Sequence, residues 1–188
     1  MTGLFGGAFD PIHDAHLTVA REARDRIGLD RIVFIPSGIP PHKSLRAPFE
    51  HRLAMARLAC AEFGFEVSDC EGGSERSYTF DTLQHFSAPR AFIIGADAFS
   101  EVETWYRWRE VLKLTEFIVV SRPGHDYDIP AGAKVRRLET LALPVSSSDI
   151  RATLAQGERP ANLPETVFQY IRRHKLYGFQ EETACSRS

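Results

Sequence analysis

GLFGGAFDPIHDAHL, running from Gly3 to Leu17, sets a glycine pair, an Asp-Pro step and two histidines within fifteen positions. Gly3–Phe5 reads as a short apolar strand. From Asp14 to Ile27 the apolar residues Leu17, Ala20, Ala23 and Ile27 recur at helical spacing. The stretch is a strand handing over to a helix, with Gly6 and Gly7 at the handover. In an open parallel sheet, ligands bind at such junctions, beyond the carboxyl ends of the strands. Residues without Cβ let backbone N–H groups approach a phosphate closely, and the helix start presents its positive end. Pro11 fixes its own φ and restricts Asp10. His13 and His16 fall at i and i+3, which predicts both imidazoles on one face of the first helical turn, aimed at one anion.

On residues alone, a tight turn and a phosphate cradle both explain the glycine pair, and a histidine near a helix start also serves as a cap. A zinc site on His13 and His16 would need a third ligand that nothing nearby marks. The patterns GxGxxG and GxxxxGK[ST] do not occur here, which sets aside the ordinary dinucleotide and P-loop readings.

Outward from this stretch, apolar strand-like runs alternate with helical periods. RIVFIP (Arg31–Pro36) is a strand, a helix follows near Phe49–Cys60, and Phe65–Val67 is a weaker strand. Tyr78–Phe86 reads as a helix, RAFIIG (Arg90–Gly95) as a buried strand, and a helix is expected through Trp105–Leu112. EFIVV (Glu116–Val120) and Val135–Leu143 are further strands, and helices near Ser147–Gln156 and Pro164–Arg173 close the chain. Alternation of this kind predicts an α/β, Rossmann-like, doubly wound and mostly parallel sheet of five to six strands with helices on both faces. With no internal repeat and no linker, residues 1–179 are expected to form a single domain, with 180–188 as a frayed tail.

Composition narrows the partners. The 188 residues are 43% hydrophobic and 26% charged with a net charge of −2, which excludes the basic footprint of a nucleic-acid binder. No apolar run approaches the roughly 20 residues that cross a bilayer, and the first residues lack a basic stretch before a hydrophobic core. Cys60, Cys70 and Cys185 are odd in number and show no CxxC spacing, so neither a disulfide framework nor a structural zinc site is expected. A reducing, cytoplasmic setting follows, and a monomer and a homodimer are equally compatible with the sequence.

A second anion site is marked far along the chain, in PVSSSDIRATL (Pro144–Leu154). Ser146 and Asp149 have capping-box spacing, three serine hydroxyls gather at the helix start, and Arg151 follows. An ordinary cap is the competing explanation.

Together these two stretches point to a family. GGAFDPIHDAH resembles the GG-x-FDP-x-H-x-G-H signature of the nucleotidylyltransferase superfamily, whose members move a nucleoside monophosphate from a triphosphate to a second substrate. Ala15 stands where the signature has glycine, a change that adds one methyl group in a helix. The resemblance implies that Gly6, Gly7, Ala8, Phe9, His16, Gly95 and Asp97 bind ATP, with Asp97 on ribose hydroxyls. Ser146 and Arg151 would hold the leaving pyrophosphate, and Ile150 would pack near the adenosine.

The remaining loops choose among acceptors. IPSGIPPHK (Ile35–Lys43), ERSYTFDTL (Glu75–Leu83), IIGAD (Ile93–Asp97), TWY (Thr104–Tyr106) and SRPG (Ser121–Gly124) resemble, in order, the bacterial nicotinate-nucleotide adenylyltransferases. That likeness implies ATP and nicotinate mononucleotide as partners. Thr79, Trp105 and Tyr106 would receive the pyridine carboxylate and ring, Arg122 the acceptor's phosphate, and His42 and Lys43 the charge building between the substrates. His13, His16, Lys43 and Arg151 form the expected catalytic set. Mg²⁺ would arrive with ATP, held by phosphate oxygens and water with no protein cage. Sister transferases acting on pantetheine phosphate or with CTP share the scaffold, as would a module that binds adenine nucleotides without turnover.

Overall fold

The computed structural model describes residues 1–39, 44–73, 76–141 and 145–180. Six strands form one sheet: β1 (Thr2–Gly7), β2 (Arg31–Pro36), β3 (Glu66–Val67), β4 (Arg90–Gly95), β5 (Glu116–Ser121) and β6 (Val135–Glu139). Every pairing among them is parallel, in the order β3-β2-β1-β4-β5-β6. The chain winds outward from β1 in one direction and then, from β4, in the other. The switch point therefore lies between β1 and β4, and in open parallel sheets ligands bind there, beyond the carboxyl ends.

Strands buried on both faces need apolar residues at every position, and RIVFIP and RAFIIG supply them. Period-two alternation divides these residues between two cores. Phe5, Ile32, Phe34, Ala91, Ile93 and Ile118 face one side, where they meet α1 (Asp14–Ile27), α2 (Phe49–Ala61), α6 (Ser147–Ala155) and α7 (Glu165–His174). Leu4, Val33, Ile35, Phe92, Ile94, Phe117 and Val119 face the other, against α3 (Thr79–Gln84), α4 (Ala96–Ser100) and α5 (Trp108–Leu114). This is the doubly wound arrangement expected from the alternation, with six strands.

Two boundaries differ from expectation. The helix expected from Trp105 begins at Trp108, because Trp105 is extended and Arg107 takes a left-handed conformation (φ 55°). Tertiary contacts hold it there: the Arg107 guanidinium lies 3.8 Å from the Phe80 ring centroid and donates twice to Glu110, at 2.6 and 2.8 Å. The last strand ends at Glu139, and Ala142–Pro144, into which the expected strand ran, lie outside the described residues. So do residues 181–188, most of the expected tail.

Candidate active site

The turn after β1 is built for close approach. A Cβ on Gly7 would stand 2.9 Å from the Phe9 ring, and one on Gly6 2.8 Å from Phe92, so glycine lets the turn pack closely on these two buried rings. Phe9 is left-handed (φ 45°), a conformation that costs a non-glycine residue on the order of 1–3 kcal/mol. Burial of its ring against Phe5 and Phe34, at 5.7 and 5.3 Å, offsets that cost. Phe9 is thus a support whose side chain faces the core, and any contact with a nucleotide falls to the backbone around it.

What Phe9 supports is His16. Its ring meets the His16 imidazole edge-on at 5.0 Å, Phe5 does the same at 6.1 Å, and His13 stacks on it at 3.7 Å. His16 Nδ1 accepts the backbone N–H of His13 at 3.2 Å. An Nδ1 used as acceptor places the neutral ring's proton on Nε2, making that edge a donor. His16 is half-buried, in the first turn of α1 beside the glycine turn.

His13 differs from expectation. It caps α1 and is 4% exposed, so it stands behind His16 and shares little of its access to solvent. Its Nδ1 is buried with no hydrogen-bond partner among the described residues, and burial lowers its pKa from 6.5 to about 4. The folded protein therefore keeps His13 neutral while an unfolded chain binds a proton near pH 6.5. Because the folded pKa is the lower one, this contribution to stability is complete above pH 6.5 and is lost as pH falls toward 4. Between pH 7 and 5 the loss is about 2 kcal/mol. Chemical denaturation at the two pH values is expected to show it in the wild type and to show less in His13→Asn. An equal pH dependence in both would contradict the assignment.

The serine-capped start of α6 docks directly on the turn after β1. Ser147 Oγ donates to the Pro11 carbonyl at 3.0 Å, and Arg151 Nη1 donates to the Asp10 carbonyl at 2.6 Å. Arg151 Nη2 donates to Ser148 Oγ at 3.0 Å, which leaves further N–H groups of the guanidinium for a ligand. Ser146 caps α6 in a full capping box, its Oγ accepting the Asp149 N–H at 3.2 Å while Asp149 Oδ2 accepts the Ser146 backbone N–H at 3.3 Å and also its hydroxyl at 2.8 Å. Ile150 is a correction: at 1% exposure it belongs to the core, so its side chain offers no surface to an adenosine and instead anchors α6. Ala15 is likewise buried on the core face of α1, where its methyl group is accommodated.

The adenosine candidates Gly95 and Asp97 and the acceptor candidates follow the carboxyl ends of the strands. Gly95 ends β4 and caps α4, with Asp97 fully exposed in the first turn and His125 Nε2 3.9 Å from its carboxylate. Thr79 opens α3 and is half-buried. Trp105 packs edge-on against Phe92 at 6.3 Å, and Tyr106, half exposed, leans on Tyr78 at 4.8 Å. Arg122 is exposed just after β5, whose residue Val120 lies abreast of Gly95. His42 and Lys43 lie outside the described residues.

The structure adds residues that sequence reasoning missed. Asp10, 3% exposed, accepts the N–H groups of Arg46 and Ala47 at 2.6 and 3.1 Å and the Tyr177 hydroxyl at 2.7 Å. Burial and the Asp10 carboxylate raise the Tyr177 pKa far above its ordinary value, so the phenol keeps its proton. Arg52 is 1% exposed on the apolar face of α2, in register with Met55, Ala56 and Ala59. A cation at helical spacing with buried apolar residues demands internal partners, and that was the legible signal. Tyr177 had none.

Among known proteins, residues 4–153 match a family model described as Cytidylyltransferase-like. A probable nicotinate-nucleotide adenylyltransferase of Solibacter usitatus is 51% identical over 184 residues, spanning 93% of this chain and 98% of the relative. One from Geobacter sp. (strain M21) is 41% identical over 210 residues, spanning 93% and 97%. A solved structure of Plasmodium falciparum nicotinic acid mononucleotide adenylyltransferase complexed with NaAD superposes with a TM-score of 0.79, covering 95% of this chain and 98% of that one. At 22% identity this is a likeness of fold. With a family model over most of its length and close relatives over nearly all of it, the chain belongs to the nicotinate-nucleotide adenylyltransferases, a branch of the cytidylyltransferase-like nucleotidylyltransferases.

Proposed function

We propose that the chain transfers the adenylyl group of ATP to nicotinate mononucleotide, releasing pyrophosphate and forming deamido-NAD in the cytoplasm. One observation carries the reading: the His16 turn and the serine-capped start of α6 are joined by the Ser147–Pro11 and Arg151–Asp10 bonds beside the switch point. Two helix starts facing one crevice suit a triphosphate better than a single phosphate. The names of the relatives supply the acceptor, and the free thiols of Cys60 and Cys70 suit a reducing compartment.

The acceptor's phosphate oxygen is already an anion at neutral pH, so no general base is required. It attacks the α-phosphorus in line, the bond from that phosphorus to the bridging oxygen breaks, and pyrophosphate leaves with the electron pair. His16 Nε2, backed by His13 and the start of α1, donates to the oxygens of the five-coordinate transition state. Ser146, Arg151 and the N–H groups of α6 hold the departing pyrophosphate. Lys43, with His42, neutralises charge between the substrates. Gly6, Gly7 and Ala8 frame the phosphates, and Gly95 and Asp97 take the adenosine side. Thr79, Trp105 and Tyr106 receive the nicotinate, and Arg122 its phosphate. Magnesium would arrive with the ATP substrate, on phosphate oxygens and water.

Pyrophosphate release measured with nicotinate mononucleotide, nicotinamide mononucleotide and pantetheine phosphate tests the assignment. The first is expected to be the best acceptor, and turnover confined to pantetheine phosphate would replace it. Arg122→Ala is expected to raise the acceptor's KM about tenfold, the value of one charged hydrogen bond, with little effect on ATP. An effect confined to ATP would reassign Arg122.

A further inference from the structure

The guanidinium of Arg52 donates to three carbonyls from three separate segments: Ala8 at 2.8 Å, Gly38 at 3.1 Å and Ala47 at 3.1 Å. Ala8 lies in the nucleotide turn. Gly38 and Ala47 stand near the two ends of the connection from β2 to α2, the segment in which His42 and Lys43 occur. The complementary N–H groups at both ends go to buried or half-buried carboxylates. Gly38 donates to Glu71 Oε2 at 3.1 Å, and Ala47 to Asp10 Oδ1 at 3.1 Å. Each end of the connection is thus gripped twice, its carbonyl by Arg52 and its N–H by an acid. Glu71 also accepts the Thr82 hydroxyl at 2.5 Å, which ties the grip to α3, the helix that Thr79 opens.

This pattern is specific. A cation needed only to fill space in α2 has no reason to collect acceptors from the ligand-binding segments, and the same volume in hydrocarbon would serve stability as well. Burial pulls the guanidinium's pKa down, and the Asp10, Glu71 and Glu50 carboxylates push it back up, so the charge is retained at a site that neutral side chains would occupy at less cost. A planar fork reaches three carbonyls at once, which a lysine ammonium on a flexible stem does not. The nucleotide turn has other supports, since β1 is paired on both sides and the Phe9 ring is buried. The β2–α2 connection is also held at Ser37, whose N–H donates to the Gly7 carbonyl at 2.8 Å, and at Ile39, which exchanges bonds with Ser77; Arg52 bridges its two ends.

We infer that Arg52 is a positioning residue, which fixes both ends of the β2–α2 connection against the Ala8 carbonyl and so sets the acceptor side of the site at a defined distance from the nucleotide turn. The role rests on the adenylyl-transfer reading above. It predicts a split among kinetic constants that a purely structural role does not give.

The test uses the full chain with Arg52→Lys. Turnover and both Michaelis constants are read from pyrophosphate release, affinity for a non-hydrolysable ATP analogue by calorimetry without acceptor, and the folded fraction by thermal unfolding. The expected result is a loss of kcat on the order of tenfold or more, as misplacement of reacting groups gives, with a raised acceptor KM. Analogue affinity should stay within about threefold of wild type at a temperature where the variant is folded. Wild-type kcat and acceptor KM would overturn the inference, as would a loss that follows analogue affinity and folded fraction in step. If Arg52→Lys does not fold, Thr82→Val decides: it removes the hydroxyl that bonds Glu71 and the Tyr78 carbonyl and is expected to raise the acceptor KM with analogue affinity unchanged, and an unaltered acceptor KM overturns the role. A wild-type protein that releases no pyrophosphate with nicotinate mononucleotide would sink the functional reading itself. Normal wild-type turnover beside an unimpaired variant would sink only the role of Arg52.

Discussion

His16→Ala is expected to lower kcat about 100-fold, which corresponds to about 2.7 kcal/mol of transition-state stabilisation. The size follows from how firmly the ring is held. Phe9, Phe5 and His13 pack on it, and the His13 N–H fixes its Nδ1, so the Nε2 donor is in place before substrate binds. A donor that needs no reorganisation acts mainly as charge develops on the phosphoryl oxygens, and less in the ground state. The Michaelis constant for ATP should therefore move far less than kcat, because the start of α6 and the glycine turn remain. Steady-state kinetics over both substrates checks this, and a variant with near-normal turnover removes His16 from the chemistry.

Gly38→Ala is expected to destabilise the fold by about 3 kcal/mol, combining overpacking with a disturbed buried hydrogen-bond pair. A Cβ at this position would stand 2.3 Å from the Glu71 backbone carbonyl and 2.6 Å from Ser77 Oγ. The serine hydroxyl can rotate away. The carbonyl belongs to a turn and moves only with it. Any shift that relieves the contact also stretches the bonds from Gly38 to Glu71 and Arg52. In a protein of this size the cost corresponds to a fall in Tm on the order of 5–10 °C. Chemical denaturation gives the free energy directly, and a midpoint equal to wild type would show that the turn yields without cost.

The pattern of legible and illegible features has a physical basis. Strands such as RIVFIP and RAFIIG announced themselves because both faces of a central parallel strand must be apolar. The two helix starts beside the switch point were legible for a related reason: each is a local device, glycines before one helix and a capping box before the other, written in consecutive residues. The break before α5 was hidden, since Arg107 owes its left-handed backbone to Phe80, far away in sequence, and to its own ion pair with Glu110. Distance also hid the network beneath the site. Asp10 and Tyr177 are 167 residues apart and Arg52 and Ala8 are 44 apart, so no local spacing brings them together. Ile150 shows the opposite error, where a position near the expected ligand was assigned to it although the helix turns its side chain into the core.

If the His16 turn and the α6 turn hold one triphosphate between them, a crystal structure with a non-hydrolysable ATP analogue will show α-phosphate oxygens within hydrogen-bond distance of His16 Nε2 and the terminal phosphates on Ser146, Arg151 and the first N–H groups of α6. A triphosphate that engages only one of the two helix starts, with the other facing empty solvent, would contradict that reading.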